Sequence, residues 1–364
     1  MPSTTASRSS SQACSHGGSL VGDSVQVSWP LRAAGATPHA RYVPVPHLSI
    51  RKYETTVRRL FPLVAAALLA TSLAACGGGG DDATSLPTVT GNMGEKPTVT
   101  APDRDPSKTL VSDVITPGSG AKIAKGDLVV VNYLGQLWRG NKTFDTSYGK
   151  APVSFRLGKD PIITGWVDGL VGKNVGSRIL LVVPPDKAFG TKGLPDAGIK
   201  PDDTLVFVVD VLGSYTSTSS LNGAVASGGG GALPAVTGAA DKKPTIKVQT
   251  SVNPPAKTTA RTVIEGDGAT VAKGDLVVVK YVGLSWSTGK QFDSSWDRNE
   301  PVSFTLDDSQ VIKGWVEGLT GVKTGSRVLL VIPPDSGYGK EGRSEAGIKK
   351  NETLVFAVDV LGTF

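Results

Sequence analysis

A ten-residue stretch, Gln310-Val-Ile-Lys-Gly-Trp-Val-Glu-Gly-Leu319, occurs once before as Pro161-Ile-Ile-Thr-Gly-Trp-Val-Asp-Gly-Leu170. Its surroundings recur with it. Lys-Pro-Thr-Val at 96–99 returns as Lys-Pro-Thr-Ile at 243–246, and Lys-Gly-Asp-Leu-Val-Val-Val at 125–131 returns unchanged at 273–279. Phe-Asp-Thr-Ser at 144–147 becomes Phe-Asp-Ser-Ser at 292–295, and Thr-Leu-Val-Phe at 204–207 is repeated at 353–356. A period this long with two copies is a domain duplication, not a solenoid. The chain must therefore fold as two similar units, placed at 96–214 and 243–364.

The repeated decapeptide predicts the start of a short helix. Val311, Ile312, Trp315 and Leu319 fall on one apolar face at helical spacing. Around it lie apolar and β-branched runs bounded by Gly, Pro or Asp, which predict strands at 128–134, 178–183 and 204–212, and again at 276–282, 327–332 and 353–361. Strands outnumber helices and no βαβ alternation is present, so the class is α+β with an antiparallel sheet. That also disfavours an export-linked solute-binding protein. Residues 215–242 are rich in Ser, Thr, Gly and Ala and include glycines 228–231, which predicts a flexible linker and two domains that move independently.

The net charge of +6 is concentrated at the start. Residues 1–75 hold seven basic residues (Arg8, Arg32, Arg41, Arg51, Lys52, Arg58, Arg59) against Asp23 and Glu54, which accounts for +5. The rest is near neutral, so no nucleic-acid footprint is indicated. Residues 1–56 show no sustained period and read as disordered or as a mis-assigned start, with translation expected to begin at Val57. Arg58 and Arg59 then precede a sixteen-residue, mostly apolar run to Ala75, too short for a good membrane span. It has the parts of an export signal over 57–75. Its end, Leu73-Ala-Ala-Cys76, resembles the bacterial lipobox, in which the cysteine thiol is lipidated and becomes the new N-terminus. The alternative, a buried core helix, fits poorly with the Gly-Gly-Gly-Gly-Asp-Asp that follows. Residues 76–95 then read as a tether lifting the domains off the extracytoplasmic face of the cell membrane, with the lipid as the only membrane attachment. The glycines at 77–80 lack the strand and the Lys-Ser/Thr of a phosphate loop.

Cleavage before Cys76 would remove His16, His39, His47 and Cys14, leaving no histidine and one cysteine. A Ser-His-Asp triad, a Cys-His pair, a histidine metal site and an intrachain disulfide are then excluded. No cofactor or metal is expected. The Asp-Xaa-Ser-type stretches, without a base, are turns.

The second unit carries Val279-Lys-Tyr281-Val-Gly, Gln291-Phe292-Asp293-Ser-Ser, Val311-Ile312-Lys-Gly-Trp315, Ile332-Pro-Pro-Asp335 through Tyr338-Gly339, and Thr353-Leu-Val-Phe356. In order, spacing and strand context these resemble the prolyl isomerase domains of the FK506-binding protein (FKBP) family, and the resemblance covers both repeats. It implies a strongly curved antiparallel sheet wrapped around one short helix. It also implies that Tyr281, Phe292, Asp293, Val311, Ile312, Trp315, Tyr338, Ile348 and Phe356 line the second pocket. The counterparts in the first are Tyr133, Phe144, Asp145, Ile162, Ile163, Trp166, Phe189, Ile199 and Phe207.

The implied activity is rotation about X-Pro bonds of exported or unfolded proteins, with FK506 or rapamycin as possible ligands. Amide resonance sets a barrier of about 18–20 kcal/mol and polarises the planar bond. The twisted transition state has lost much of that polarity, so an aromatic, water-poor pocket favours it. Trp315 would be the floor and Tyr281, Phe292 and Phe356 the walls, while an amide near Ile312 and the Tyr338 hydroxyl would hold carbonyls. Asp293 has two readings, a positioning charge paired with Arg298 or the cap of a turn through Ser294 and Ser295. For Tyr281 and Phe356 a plain core role is the alternative.

The copies differ. Tyr338 becomes Phe189, a hydroxyl whose hydrogen bond is worth about 0.5–1.5 kcal/mol. Trp296-Asp-Arg298-Asn-Glu300 becomes the shorter Tyr148-Gly-Lys-Ala151, without the arginine. A wall position often aromatic in the family is Val153 and Val302 here. The second domain is therefore expected to be the better isomerase. The alternative is a holdase or scaffold that binds proline-containing segments without turnover, using two linked sites for avidity.

Overall fold

The computed structural model of the chain describes residues 86–226 and 232–364. The expectations for the start at Val57, the export signal and Cys76 lie outside the described residues, as do glycines 228–231.

The first unit runs β1 (Thr88–Thr90), β2 (Thr98–Thr100), β3 (Val111–Thr116), β4 (Leu128–Leu137), β5 (Thr143–Thr146), β6 (Val153–Arg156), α1 (Thr164–Leu170), β7 (Arg178–Val183) and β8 (Leu205–Tyr215). Strands β3 to β8 form an antiparallel sheet in the order β3-β7-β8-β4-β5, with β6 beside the first half of β4. The second unit runs β9 (Ala224–Val225), β10 (Ala235–Thr237), β11 (Thr245–Lys247), β12 (Thr259–Glu265), β13 (Leu276–Ser285), β14 (Gln291–Ser294), β15 (Val302–Thr305), α2 (Lys313–Leu319), β16 (Arg327–Ile332) and β17 (Leu354–Thr363). Its sheet has the order β14-β13-β17-β16-β12-β9, with β15 on β13. The architecture is thus mostly antiparallel sheet with few helices. The six strands predicted from sequence are present, and the long ones run two or three residues further.

Each helix lies on one face of its sheet. Side chains alternate across a strand, so Ile179, Leu181 and Val183 of β7 face the α1 core while Leu180 and Val182 face away. Both faces are covered, which is why β7 and β16 are uninterrupted apolar runs after their arginine. The outward face is covered by the hairpin β1–β2, through Val99, and in the second unit by β10–β11, through Ile246.

These hairpins differ from the sequence reading. Residues 86–95, assigned by composition to the tether, supply the first arm and turn of a hairpin that starts before the boundary drawn at Lys96. A buried arginine fixes it. Arg178 pairs with Asp210 at 2.6 and 2.8 Å and donates to the carbonyls of Gly91 and Glu95 at 2.7 and 2.8 Å. Arg327 repeats this with Asp359 and the carbonyls of Gly238, Ala239 and Lys242. A buried ion pair whose remaining donors are all satisfied avoids the penalty of an uncompensated charge.

The two units, expected from the linker to move independently, are in contact. Part of the 215–242 segment lies on the second unit. β9 pairs with β12, Leu221 is buried, and Lys280 donates to the carbonyls of Ser217 and Ser219 while sitting 4.3 Å from the Trp296 ring centre. The units themselves touch. Leu128 and Val130 of β4 pack with Leu276 and Val278 of β13, flanked by Leu212, Tyr215, Leu361 and Phe364. The Tyr215 and Phe364 rings meet edge to face at 6.3 Å, and burial pushes the Tyr215 phenol up to about 12. Ser154 and Ser303 are hydrogen-bonded at 2.8 Å. In the repeated Leu-Val-Val-Val, the inward positions fill each core and the outward ones fill this interface. Composition of the linker was a poor guide because the contact is made by the strands.

Candidate functional site

The second pocket is built on α2. Ile312 precedes the helix in extended conformation, so Val311 and Ile312 belong to the turn that enters it and not to the helix itself. Gly314 and Gly318 face β16. A Cβ at Gly314 would lie 2.3 Å from Ile332, and one at Gly318 would lie 2.5 Å from Leu330. Only glycine permits this close approach, which sets Trp315 against the sheet.

Trp315 is the centre of an aromatic cluster. Tyr281, Phe356 and Phe304 stand edge-on around it at 5.4, 5.3 and 5.1 Å, and Phe292 packs edge-on against Phe356 at 5.6 Å. Edge-to-face geometry matches positive ring edges to negative faces. Val311, Ile312 and Tyr338 are half-buried against the same core, and Ile348 is buried in it. The candidates named from sequence are therefore brought together, except that Asp293 joins through Tyr281. Phe304 and its counterpart Phe155 were missed. The signal was available, because each lies two residues beyond Val302 or Val153 on the same strand face.

Asp293 meets one partner from each of its two sequence readings, Ser294 and Arg298. It accepts hydrogen bonds from the Tyr281 hydroxyl and the Ser294 amide, and it pairs with Arg298. Arg298 also donates to the Tyr281 hydroxyl at 3.0 Å, and its guanidinium lies 5.8 Å from the ring centre. Burial and the neighbouring Asp293 hold the Tyr281 phenol well above its usual range, so it stays a donor even in alkaline solution. Arg343, also missed, stacks on the Tyr338 ring at 5.7 Å and donates to its hydroxyl at 3.5 Å. Nothing in the local sequence announces that contact.

The first pocket has the same plan and is more closed. Tyr133, Phe155 and Phe207 surround Trp166 edge-on at 5.4, 5.4 and 5.3 Å, and Phe144 stands against Phe207. Asp145 accepts from the Tyr133 hydroxyl and the Thr146 amide. Here Ile162, Ile163 and Phe155 are buried, at 8, 1 and 4% exposure, whereas Val311, Ile312 and Phe304 are only partly buried. Ile199 is buried as its counterpart is. Phe189 and Leu194 pack onto the core from the loop where the second unit has Tyr338 and Arg343. The Trp166 indole N–H is buried without a hydrogen-bond partner.

Such a site is apolar, aromatic and poor in acid–base groups. It suits a change of conformation in a bound chain better than bond cleavage. The sequence model of the FKBP-type peptidyl-prolyl cis-trans isomerase family matches residues 120–212 and 268–361. The chain is 43% identical to an FK506-binding protein of Streptomyces anulatus over 108 residues, 30% of this chain and 87% of the relative. It is 46% identical to the peptidyl-prolyl cis-trans isomerase FKBP1A of Xenopus laevis over 101 residues, 28% of this chain and 92% of that one. It is 49% identical to the isomerase FkpA of Escherichia coli K12 over 96 residues, 26% of this chain and 34% of that one. With the family matched in both units, over the strands and helix that build each aromatic pocket, the chain belongs to the FKBP-type peptidyl-prolyl cis-trans isomerases and carries two of their domains.

Proposed function

We propose that the second pocket performs most of the turnover, by drawing a prolyl peptide out of water against Trp315. The observation that carries this is the contrast in access: Val311, Ile312 and Phe304 are only partly buried around Trp315, while their counterparts around Trp166 are buried. The planar amide loses its polarity as it twists, so exchanging water for aromatic walls lowers the barrier selectively for the twisted form. Tyr281, Phe292 and Phe356 are the walls, and Val311, Ile348 and Tyr338 complete the rim. The Ile312 amide and the Tyr338 hydroxyl hold flanking carbonyls. Asp293 orients Tyr281 and Arg298 and passes no proton to the amide nitrogen, since an ordinary carboxyl group is far too weak an acid for that. Tyr133, Phe144, Asp145, Ile162, Ile163, Trp166, Phe189, Ile199 and Phe207 form a weaker site that mainly binds. A holdase reading is favoured for that first site alone, because Phe189 stands where the second site has Tyr338 and lacks the hydroxyl that would hold a substrate carbonyl.

The substrates in this reading are X-Pro bonds of exported proteins, whose uncatalysed isomerisation takes tens of seconds. FK506 or rapamycin would compete for the same aromatic floor. Cys76 carries the lipid that holds the chain at the extracytoplasmic face of the membrane. Labelled palmitate should enter the full chain and fail to enter Cys76→Ser.

The test of the site compares Phe292→Ala with Phe144→Ala in the full chain, on a short X-Pro peptide. Both phenylalanines are half-buried walls, so both variants should fold. Phe292→Ala is expected to lower kcat/KM about tenfold, a loss of about 1.4 kcal/mol of transition-state binding, and Phe144→Ala less than twofold. Equal losses would overturn the ranking. Absence of turnover in the unaltered chain would move the reading to a holdase.

A further inference from the structure

The apolar part of the domain interface is symmetric and its ion pairs are not. Leu128, Val130, Leu212 and Tyr215 share one cluster with their own repeat counterparts Leu276, Val278, Leu361 and Phe364, within which Tyr215 meets Phe364, and Ser154 meets Ser303. Positions that meet their counterparts lie about a local two-fold axis, as in an isologous dimer. Every contact between non-equivalent positions across such an axis should occur twice. Arg156 and Lys159 hold Glu300 at 3.2 and 2.7 Å, and Arg156 also donates to the Pro301 carbonyl. The mirror positions are Thr305, Asp308 and Ala151, and Asp308 pairs instead with Lys273 of its own unit at 2.6 Å. The clamp therefore acts in one direction, from the first unit onto the second.

What it grips is the wall of the second pocket. Glu300 lies two residues after Arg298 and two before Val302, in the loop joining β14 to β15. This is the loop that is one residue longer than its counterpart. It passes through Asn299 in the left-handed region, at φ 56°. Its backbone is tied by Asn299 to the Trp296 carbonyl, Glu300 to the Ser295 carbonyl and Ser295 to the Tyr281 carbonyl, at 2.9, 3.1 and 3.0 Å, and Lys243 and Gln291 hold Asp297 at its outer side, so that Glu300 is the tie on the side of the first unit. The Arg298 side chain is 46% exposed, so its place over Tyr281 and Asp293 depends on where the loop is held. The Glu300 carboxylate feels both ends. Burial pushes its pKa up, but Lys159, Arg156 and Arg298 together bring it below the ordinary glutamate range.

We propose that the first domain serves the second as a positioning subunit, with Arg156 and Lys159 acting through Glu300 to fix the loop that places Arg298 on Tyr281 and Asp293. The proposal rests on the reading of the second pocket as the main isomerase site. It assigns to the duplicated copy a function that needs no turnover of its own.

The experiment uses the full chain and an X-Pro peptide. Arg156→Glu with Lys159→Glu breaks the clamp, and adding Glu300→Lys restores opposite charges across it. Breaking it should lower kcat/KM about three- to tenfold, within the range of couplings between contacting groups. The charge-reversed triple variant should recover to within about twofold of the unaltered chain. Undiminished turnover on breaking the clamp, while Phe292→Ala still lowers it, overturns the proposal and leaves the site reading intact. A loss that charge reversal does not restore also overturns it, since damage to packing would behave that way. A chain indifferent to Phe292→Ala removes the site reading and the proposal with it.

Discussion

Tyr281 and its partners concentrate the polar chemistry of the second pocket into three side chains. The phenol donates to Asp293, Arg298 bridges both, and the Ser294 amide holds the far carboxylate oxygen. A hydrogen bond to a charged group contributes about 1.5–3 kcal/mol. Tyr281→Phe should therefore cost the chain about 1–2 kcal/mol in urea unfolding at pH 7, because Arg298 and Ser294 still satisfy Asp293. The pH dependence has a definite sign. The folded-state pKa of Tyr281 is raised above its unfolded value near 10, mainly by burial and then by Asp293. Its contribution is then fully present below pH 10 and is lost as the pH rises beyond it. The penalty of Tyr281→Phe should be the same at pH 6 and pH 9 and should shrink above pH 10. A penalty that grows with alkalinity would contradict the assignment. Tyr281, Asp293 and Trp315 were legible in the sequence because they sit in short motifs with fixed strand or helix context. Phe304 was hidden in a strand read only for its valine, and Arg343 was hidden because loop geometry alone brings it onto Tyr338.

At the scale of elements, the two glycines of each helix decide how closely it lies on its sheet. Replacing Gly by Ala inside a helix favours the helix itself by about 1 kcal/mol. Here the new methyl group would meet Ile332 at 2.3 Å or Leu330 at 2.5 Å, and overpacking a core costs about 1–3 kcal/mol. The two effects oppose each other, and the contact at Gly314 is too short to be relieved by a rotamer change. Gly314→Ala should be destabilising by about 1–2 kcal/mol in urea unfolding, and should lower kcat/KM because Trp315 rides outward with α2. A stabilised variant would show that the helix can lift off at no cost. The sequence displayed the helix and the six long strands through their apolar runs. It did not display the hairpins β1–β2 and β10–β11. Strands of three residues carry almost no period, and what anchors them is an arginine more than eighty residues away in the chain. The hairpin arm in residues 86–95 looked like tether for the same reason.

Among the described residues, the two large sheets are joined back to back along their outward valines and leucines. Opposing glutamates at Val130→Glu and Val278→Glu should part the domains and leave each core intact, since both side chains point away from the helices. The radius of gyration from small-angle scattering should rise, and calorimetry should resolve two unfolding steps where the unaltered chain shows one. A single step with unchanged dimensions would mean the interface holds the domains together without these residues. The inheritance of such an interface differs before and after fusion. In a pair of identical chains, any mutation beside the axis appears on both sides at once, so an arginine cannot be gained opposite a glutamate without its mirror image. Once both halves are read from one gene, each drifts alone. Ser154 and Ser303 still match as siblings do, while Arg156 and Glu300 have taken up separate trades.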